Sequence, residues 1–302
     1  MSKFSASDAA FSGFRLVREN LKTVAIWAVG MTVLSLISNV LAIQFFGVQM
    51  QAVVTYLSDT TTPDPEVFAS HLSNLAPMML WTLPYSFIMN GVIFAALNRL
   101  VLRHDDSKTA YVRLGAQELR QASVWFLMVL SVMSVLFFGS ALAGFLGGLG
   151  GAMGAFLALL TVLGSIGGAV YLAVRLSFAS PVTFDTGRFT LFRSLPETKG
   201  LFWPLFGAYL LGVVMSLIVV LLLMMIVYAI GLIASGDLAA TGKMMRSDSS
   251  SLQAYFTPAG VVRTLFAGLI SVLTTMIVFS PAPAIYRELK DRRTGAETTG
   301  GW

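Results

Sequence analysis

The sequence predicts an all-α membrane bundle of six transmembrane helices. Three observations carry that reading. Of 302 residues, 56% are hydrophobic and only 12% charged, with a mean hydropathy of +0.78; soluble domains carry about 25% charged residues. Five stretches contain no Asp, Glu, Lys or Arg: 23–58, 67–98, 121–174, 200–236 and 264–286. Each exceeds the roughly 20 residues that cross a bilayer. The third observation is a charge asymmetry: 17 of the 20 Lys and Arg residues fall on one side of the resulting topology.

The spans are placed at about 25–48, 75–98, 123–145, 152–175, 202–234 and 262–284. The long third stretch holds two of them, because GFLGGLGGAMG (144–154) supplies a tight turn. Residues 1–286 then form one transmembrane domain, and 287–302 a polar tail.

The positive-inside rule orients this topology. Basic residues precede span 1, separate spans 2 and 3, separate spans 4 and 5, and follow span 6. Only Lys243, Arg246 and Arg263 fall on the other side. Both termini are therefore expected in the cytoplasm. The net charge of +5 has a topological cause, with added attraction to anionic lipid. No compact basic domain exists for nucleic acid. The start does not read as a signal peptide, because its polar lead and apolar core are both too long.

Three basic segments on the inner side read as amphipathic interfacial helices. In SDAAFSGFRLVRENLK (7–22), Ser7 or Asp8 serves as cap. Phe11, Phe14, Val17 and Leu21 recur at helical spacing, flanked by Arg15, Arg18 and Lys22. SKTAYVRLGAQELRQA (107–122) repeats this with Ser107 as cap, apolar Tyr111 and Leu114, and basic Lys108, Arg113 and Arg120. FDTGRFTLFRSLPETK (184–199) sets Phe189, Phe192 and Leu195 among Arg188, Arg193 and Lys199. A tryptophan follows the last base of each segment within four or five residues: Trp27, Trp125 and Trp203. Each then leads into a hairpin of two spans, which reads as a degenerate threefold repeat of helix plus hairpin.

Chemistry is harder to place. No span carries an acidic residue, the usual ion relay of a coupled transporter. The two histidines, His71 and His104, fall on opposite sides of the membrane. There is no cysteine, no HExxH and no phosphate-binding GxxxxGK[ST] loop. No metal, cofactor or catalytic residue is assigned. An enzyme would require Asp59, Asp64, Glu66 and His71 to converge.

The glycines 144, 147, 148, 150, 151 and 154, with Gly164 and Gly168, form small-xxx-small pairs that suit close helix packing. Pro84 in span 2, beside Trp81, Tyr85 and Asn90, marks a candidate lateral cleft. Asn90 also reads as interhelical glue.

The stretch RLSFASPVTFDTGRFTLFRSLPETKGLFW (175–203) carries a resemblance. Its Arg175-Leu176, Pro181, Asp185, Arg193-Ser194, Thr198-Lys199-Gly200 and Trp203 resemble the pattern after the fourth span in a group of bacterial inner-membrane proteins. These are the glycerophosphoryl diester phosphodiesterase membrane-domain-like and YciC-like families. The chain departs from them at Leu195, where those families often place a Trp, and at Pro196. The resemblance covers about 30 residues. It implies a six-span inner-membrane protein, and no phosphodiesterase barrel accompanies it.

The function expected is a non-enzymatic membrane protein that engages lipid or another membrane protein. Its head-group-binding residues would be Arg15, Arg18, Lys22, Arg113, Arg120, Arg188, Arg193 and Lys199. The alternative is a transporter or channel for a small apolar or amphipathic solute.

Overall fold

The computed structural model describes residues 5–59, 64–103, 108–245 and 248–299. The fold is all-α, with no strand among these residues. Helix α1 (Ala6–Glu19) leads into α2 (Leu21–Asp59) and α3 (Pro65–Leu102). A 3-10 turn, Lys108–Tyr111, precedes α4 (Ala116–Gly148) and α5 (Gly151–Leu176). Then come α6 (Ala179–Thr186), α7 (Ser194–Glu197), α8 (Phe202–Ser235), α9 (Leu238–Met245), α10 (Leu252–Tyr255), α11 (Pro258–Phe279) and α12 (Pro281–Thr299).

Among the described residues, six segments are long and apolar enough to cross a membrane: 21–58, 66–102, 116–148, 151–186, 202–235 and 258–292. Every predicted span lies inside one of them. The protein is a multi-pass membrane protein on that ground. The chain divides into two compact units. One comprises Met1–Gly13, Phe87–Gly212 and Val278–Trp302; the other comprises Phe14–Ser86 and Val213–Ile277.

In the first unit the short helix α6 is the hub. Phe178, Val182 and Val174 pack with Ala9, Leu205, Ala208, Ala282 and Ile285 in one core. Ala179 packs with Val124, Leu176 and Leu191 in another. Pro181 sits in the first turn of α6, where its missing N–H costs nothing. Gly187 ends the helix in the left-handed region at φ 64°, where a side chain would strain.

Helices α4 and α5 form the predicted hairpin, and Gly150 and Gly151 turn it at φ 79° and 68°. Only 11% of the most apolar window of each is buried, so their outer faces are left for lipid. The glycine expectation needs correction. Gly144, Gly148 and Gly164 face open space, and Gly168 makes only ordinary contact with Val135. The closest approach is at Gly139, where a Cβ would fall 1.8 Å from Ser165 Oγ. Gly154 comes next, against the Leu146 carbonyl at 2.9 Å.

The second unit is joined by polar side chains between apolar helices. Asn39 donates to the Tyr255 hydroxyl at 3.1 Å, and that hydroxyl meets Thr264 Oγ1 at 3.1 Å. Trp81 Nε1 donates to Ser38 Oγ at 3.2 Å. Gly268 lets α11 approach α2 so closely that a Cβ would lie 1.9 Å from Thr32 Oγ1 and 3.1 Å from the Ala28 carbonyl. In lipid, such close contacts and side-chain hydrogen bonds replace the hydrophobic drive between helices.

The three basic segments differ from one another. The first is helical as α1 only to Glu19; Asn20 is a turn, Leu21 and Lys22 belong to α2, and the capping side chain is Ser5, whose Oγ accepts from the Asp8 N–H at 3.2 Å. The second is not a separate helix. Ala110 and Tyr111 take φ values of 52° and 66°, Gly115 is extended, and α4 starts at Ala116. Leu114, expected on an apolar face, is 82% exposed. Ser107 and His104 lie outside the described residues. The third segment is broken into α6, a link of bends and turns, and α7, because Gly187 stops the first helix. Residues 287–299, assigned by sequence to a polar tail, continue α12.

Candidate functional site

The segment joining α5 to α8 is pinned by its own side chains. The Arg175 carbonyl, left open at the end of α5, accepts from Ser194 Oγ at 2.7 Å and Thr198 Oγ1 at 3.1 Å. Ser194 Oγ also accepts from the Phe178 N–H at 3.1 Å. The Arg175 guanidinium donates to the Leu195 carbonyl at 2.6 Å. Ser194 and Thr198 are both fully buried. The polar residues of this stretch thus act as a staple that satisfies the carbonyl at the end of α5. Gly200, at φ 76°, turns the chain into α8.

A second polar node lies where α3 meets α4. Buried Arg99 pairs with Glu118 at 2.6 Å, donates to Gln117 Oε1 at 3.1 Å, and also donates to the Tyr111 carbonyl. The guanidiniums of Arg99 and Arg103 lie 5.6 Å and 5.2 Å from the centre of the Phe184 ring. Beside them Ser180 Oγ donates to Gln121 Oε1 at 2.7 Å and accepts from Asn98 at 2.8 Å; the Gln121 amide returns to the Ser180 carbonyl at 3.0 Å. This network ties α3, α4 and α6 together, and every member has its partner, as a low-dielectric site requires.

The third feature is a cleft of about 140 Å³ lined by Phe178, Arg193, Glu197, Tyr286, Leu289 and Lys290. Lys290 Nζ sits 2.7 Å and 2.8 Å from the two oxygens of Asp185, and the Tyr286 hydroxyl donates to the same carboxylate at 3.0 Å. Phe178 forms the apolar floor, its ring edge-to-face with Tyr286 at 6.1 Å.

Among the head-group candidates, Arg113, Arg188, Arg193 and Lys199 are exposed in the first unit. Arg120 is half-buried, its guanidinium 3.8 Å from where a Cβ on Gly187 would stand. Arg15, Arg18 and Lys22 are exposed in the second unit. The three tryptophans are not equivalent: Trp203 is 75% exposed, Trp125 half-buried, and Trp27 buried at 3%.

At the candidate lateral cleft, α3 runs unbroken through Pro77 and Pro84. Trp81 and Pro84 are exposed, while Tyr85 and Asn90 are half-buried. Trp81 is held by Ser38, and Asn90 is also engaged. A separate open groove of about 530 Å³ runs along residues 43–49 of α2 and Ser250–Leu252. There Ser250 donates to Asp248 through its N–H and its hydroxyl, and these bonds hold the Asp248 carboxyl below the usual carboxylate range.

The acids between α2 and α3 are used locally. Asp64 Oδ1 accepts from the Glu66 N–H at 2.8 Å, the Asp64 carbonyl accepts from Tyr56, and His71 stacks obliquely on Tyr56 at 5.1 Å. The Asp59 side chain lies outside the described residues. Among the described residues, no group of three His, Asp or Glu is placed to hold a metal ion.

Sequence reasoning did not single out Glu118, Gln121 or Tyr286. A usable signal existed for two of them. Glu118 and Gln121 stand at the start of a span, where a buried acid and amide need partners. No family model matches this chain, and no curated protein or solved structure matches it either.

Proposed function

We propose that this is a non-enzymatic protein of the bacterial inner membrane, with both termini cytoplasmic, that engages anionic lipid head groups through a basic, aromatic collar. One observation carries the reading. Between the end of α6 and the first turn of α8, exposed Arg188, Arg193 and Lys199 are interspersed with exposed Phe189, Phe192 and Trp203. Cations on a water-soluble surface need no large exposed rings among them. At a bilayer surface both are favoured: rings enter the head-group layer, and each base near anionic lipid gains about 1 kcal/mol. The charge asymmetry of the sequence supports the same placement.

The test changes Arg15, Arg18, Arg188 and Lys199 together to Gln and measures co-purified lipid by mass spectrometry. A marked loss of phosphatidylglycerol and cardiolipin is expected. Unchanged retention would overturn the lipid reading and leave the collar to a membrane-protein partner.

A further inference from the structure

We propose that the cleft between α6, α7 and α12 is a head-group site for an aminophospholipid, a zwitterionic lipid ending in a primary ammonium. The proposal deepens the lipid reading above and rests on it. The charges around the cleft separate into two classes. Lys290 and Asp185 neutralise each other through two short contacts, and Tyr286 adds a third to the same carboxylate. That triad braces the wall. The remaining rim charges are one of each sign, Arg193 and Glu197, four residues apart across α7.

Arg193 is exposed and makes no hydrogen bond to a described residue, so its planar fork is available for a phosphate. Glu197 is already engaged, but a carboxylate has about four acceptor positions, so it takes an ammonium as well. A phosphodiester linked by two carbons to an ammonium presents both charges at once. A phosphatidylglycerol head group offers Glu197 only neutral hydroxyl donors, and its net negative charge is repelled by that carboxylate. A trimethylated ammonium brings charge without N–H donors.

The surroundings fit a lipid better than a soluble metabolite. The floor is apolar, made by Phe178 and Leu289. Its charged rim, Arg193 and Glu197, belongs to the link before α8, and its other walls come from the ends of two apolar segments, which sets it at the head-group layer.

The experiment purifies the full chain into nanodiscs of mixed phosphatidylethanolamine, phosphatidylcholine and phosphatidylglycerol and quantifies retained lipid. A charge-assisted hydrogen bond of about 1.5 kcal/mol corresponds to a preference of about tenfold for the ethanolamine over the choline lipid. Glu197→Gln brings that ratio close to one, and Glu197→Asp restores part of it. Arg193→Gln lowers retention of both zwitterionic lipids. Equal retention of the two in the unmodified protein, or a preference that survives Glu197→Gln, would overturn the proposal. Soluble phosphoethanolamine and phosphocholine are added as competitors. Phosphoethanolamine binding that Arg193→Gln and Glu197→Gln abolish, with lipid retention unchanged by either variant, would make the occupant a free metabolite and overturn the lipid assignment. The phosphatidylglycerol arm, read with Arg188→Gln and Lys199→Gln, tests the collar. Failure of that arm is therefore distinct from failure at the cleft.

Discussion

Arg99 and Glu118 form an ion pair of 2.6 Å with only 2% and 7% of their side chains exposed. Both charges lie at the ends of apolar spans, away from water, so each depends on the other. Glu118→Ala leaves a buried guanidinium with its main counter-charge gone. We expect a loss of about 3–5 kcal/mol, read as a lower thermal midpoint in detergent. The double variant Arg99→Met, Glu118→Leu removes both charges and is expected to recover most of that loss. A double variant no more stable than Glu118→Ala would count against the pair as the cause.

Ser194 serves the Arg175 carbonyl and the Phe178 N–H together. Ser194→Ala strands the buried Phe178 N–H, while the Arg175 carbonyl keeps Thr198, and is expected to cost about 1–3 kcal/mol. Thr198→Val is expected to cost less, because the Arg175 carbonyl keeps its bond from Ser194. Combining them should cost more than the sum of the singles, since only then is that carbonyl left bare. Strict additivity in chemical denaturation would argue that the two hydroxyls do not share it.

Glycine substitutions separate the contacts present in the fold from those the spacing implied. Gly268→Ala places a methyl against Thr32 and the Ala28 carbonyl. We expect about 1–3 kcal/mol of destabilisation. Gly164→Ala meets open space and is expected to be neutral or slightly stabilising. Equal effects at the two positions would contradict the packing described.

Tryptophan quenching tests the membrane level of the boundary residues. Variants retaining only Trp203 or only Trp27 are placed in liposomes with lipids brominated near the head group. Strong quenching is expected for exposed Trp203 and weak quenching for buried Trp27. Similar quenching of both would restore the equivalence that their spacing implies.

The chain has no cysteine, so single introduced thiols report orientation cleanly. In intact cells an impermeant maleimide is expected to label Ser250→Cys and to spare Arg188→Cys until the membrane is opened. The reverse pattern would invert the proposed topology.

Composition and charge-free run length were enough to determine the class of this protein, its all-α fold and the location of all six spans. A bilayer imposes these constraints locally: about 20 apolar residues per crossing, and backbone bonds satisfied within each segment. The turn at Gly150 and Gly151 was legible for the same reason, since it depends on nearby residues. The three boundary segments were not. Their apolar spacing is alike, yet one is a helix, one a strained turn clamped by Arg99, and one a broken link stapled to Arg175. That difference comes from partners far away in sequence. Tertiary structure likewise decided which glycines touch a neighbour, why Trp27 is buried while Trp203 is exposed, and that Asp185 meets Lys290 across 105 residues of chain. Such pairings depend on which helix ends meet, and no local pattern of residues encodes that.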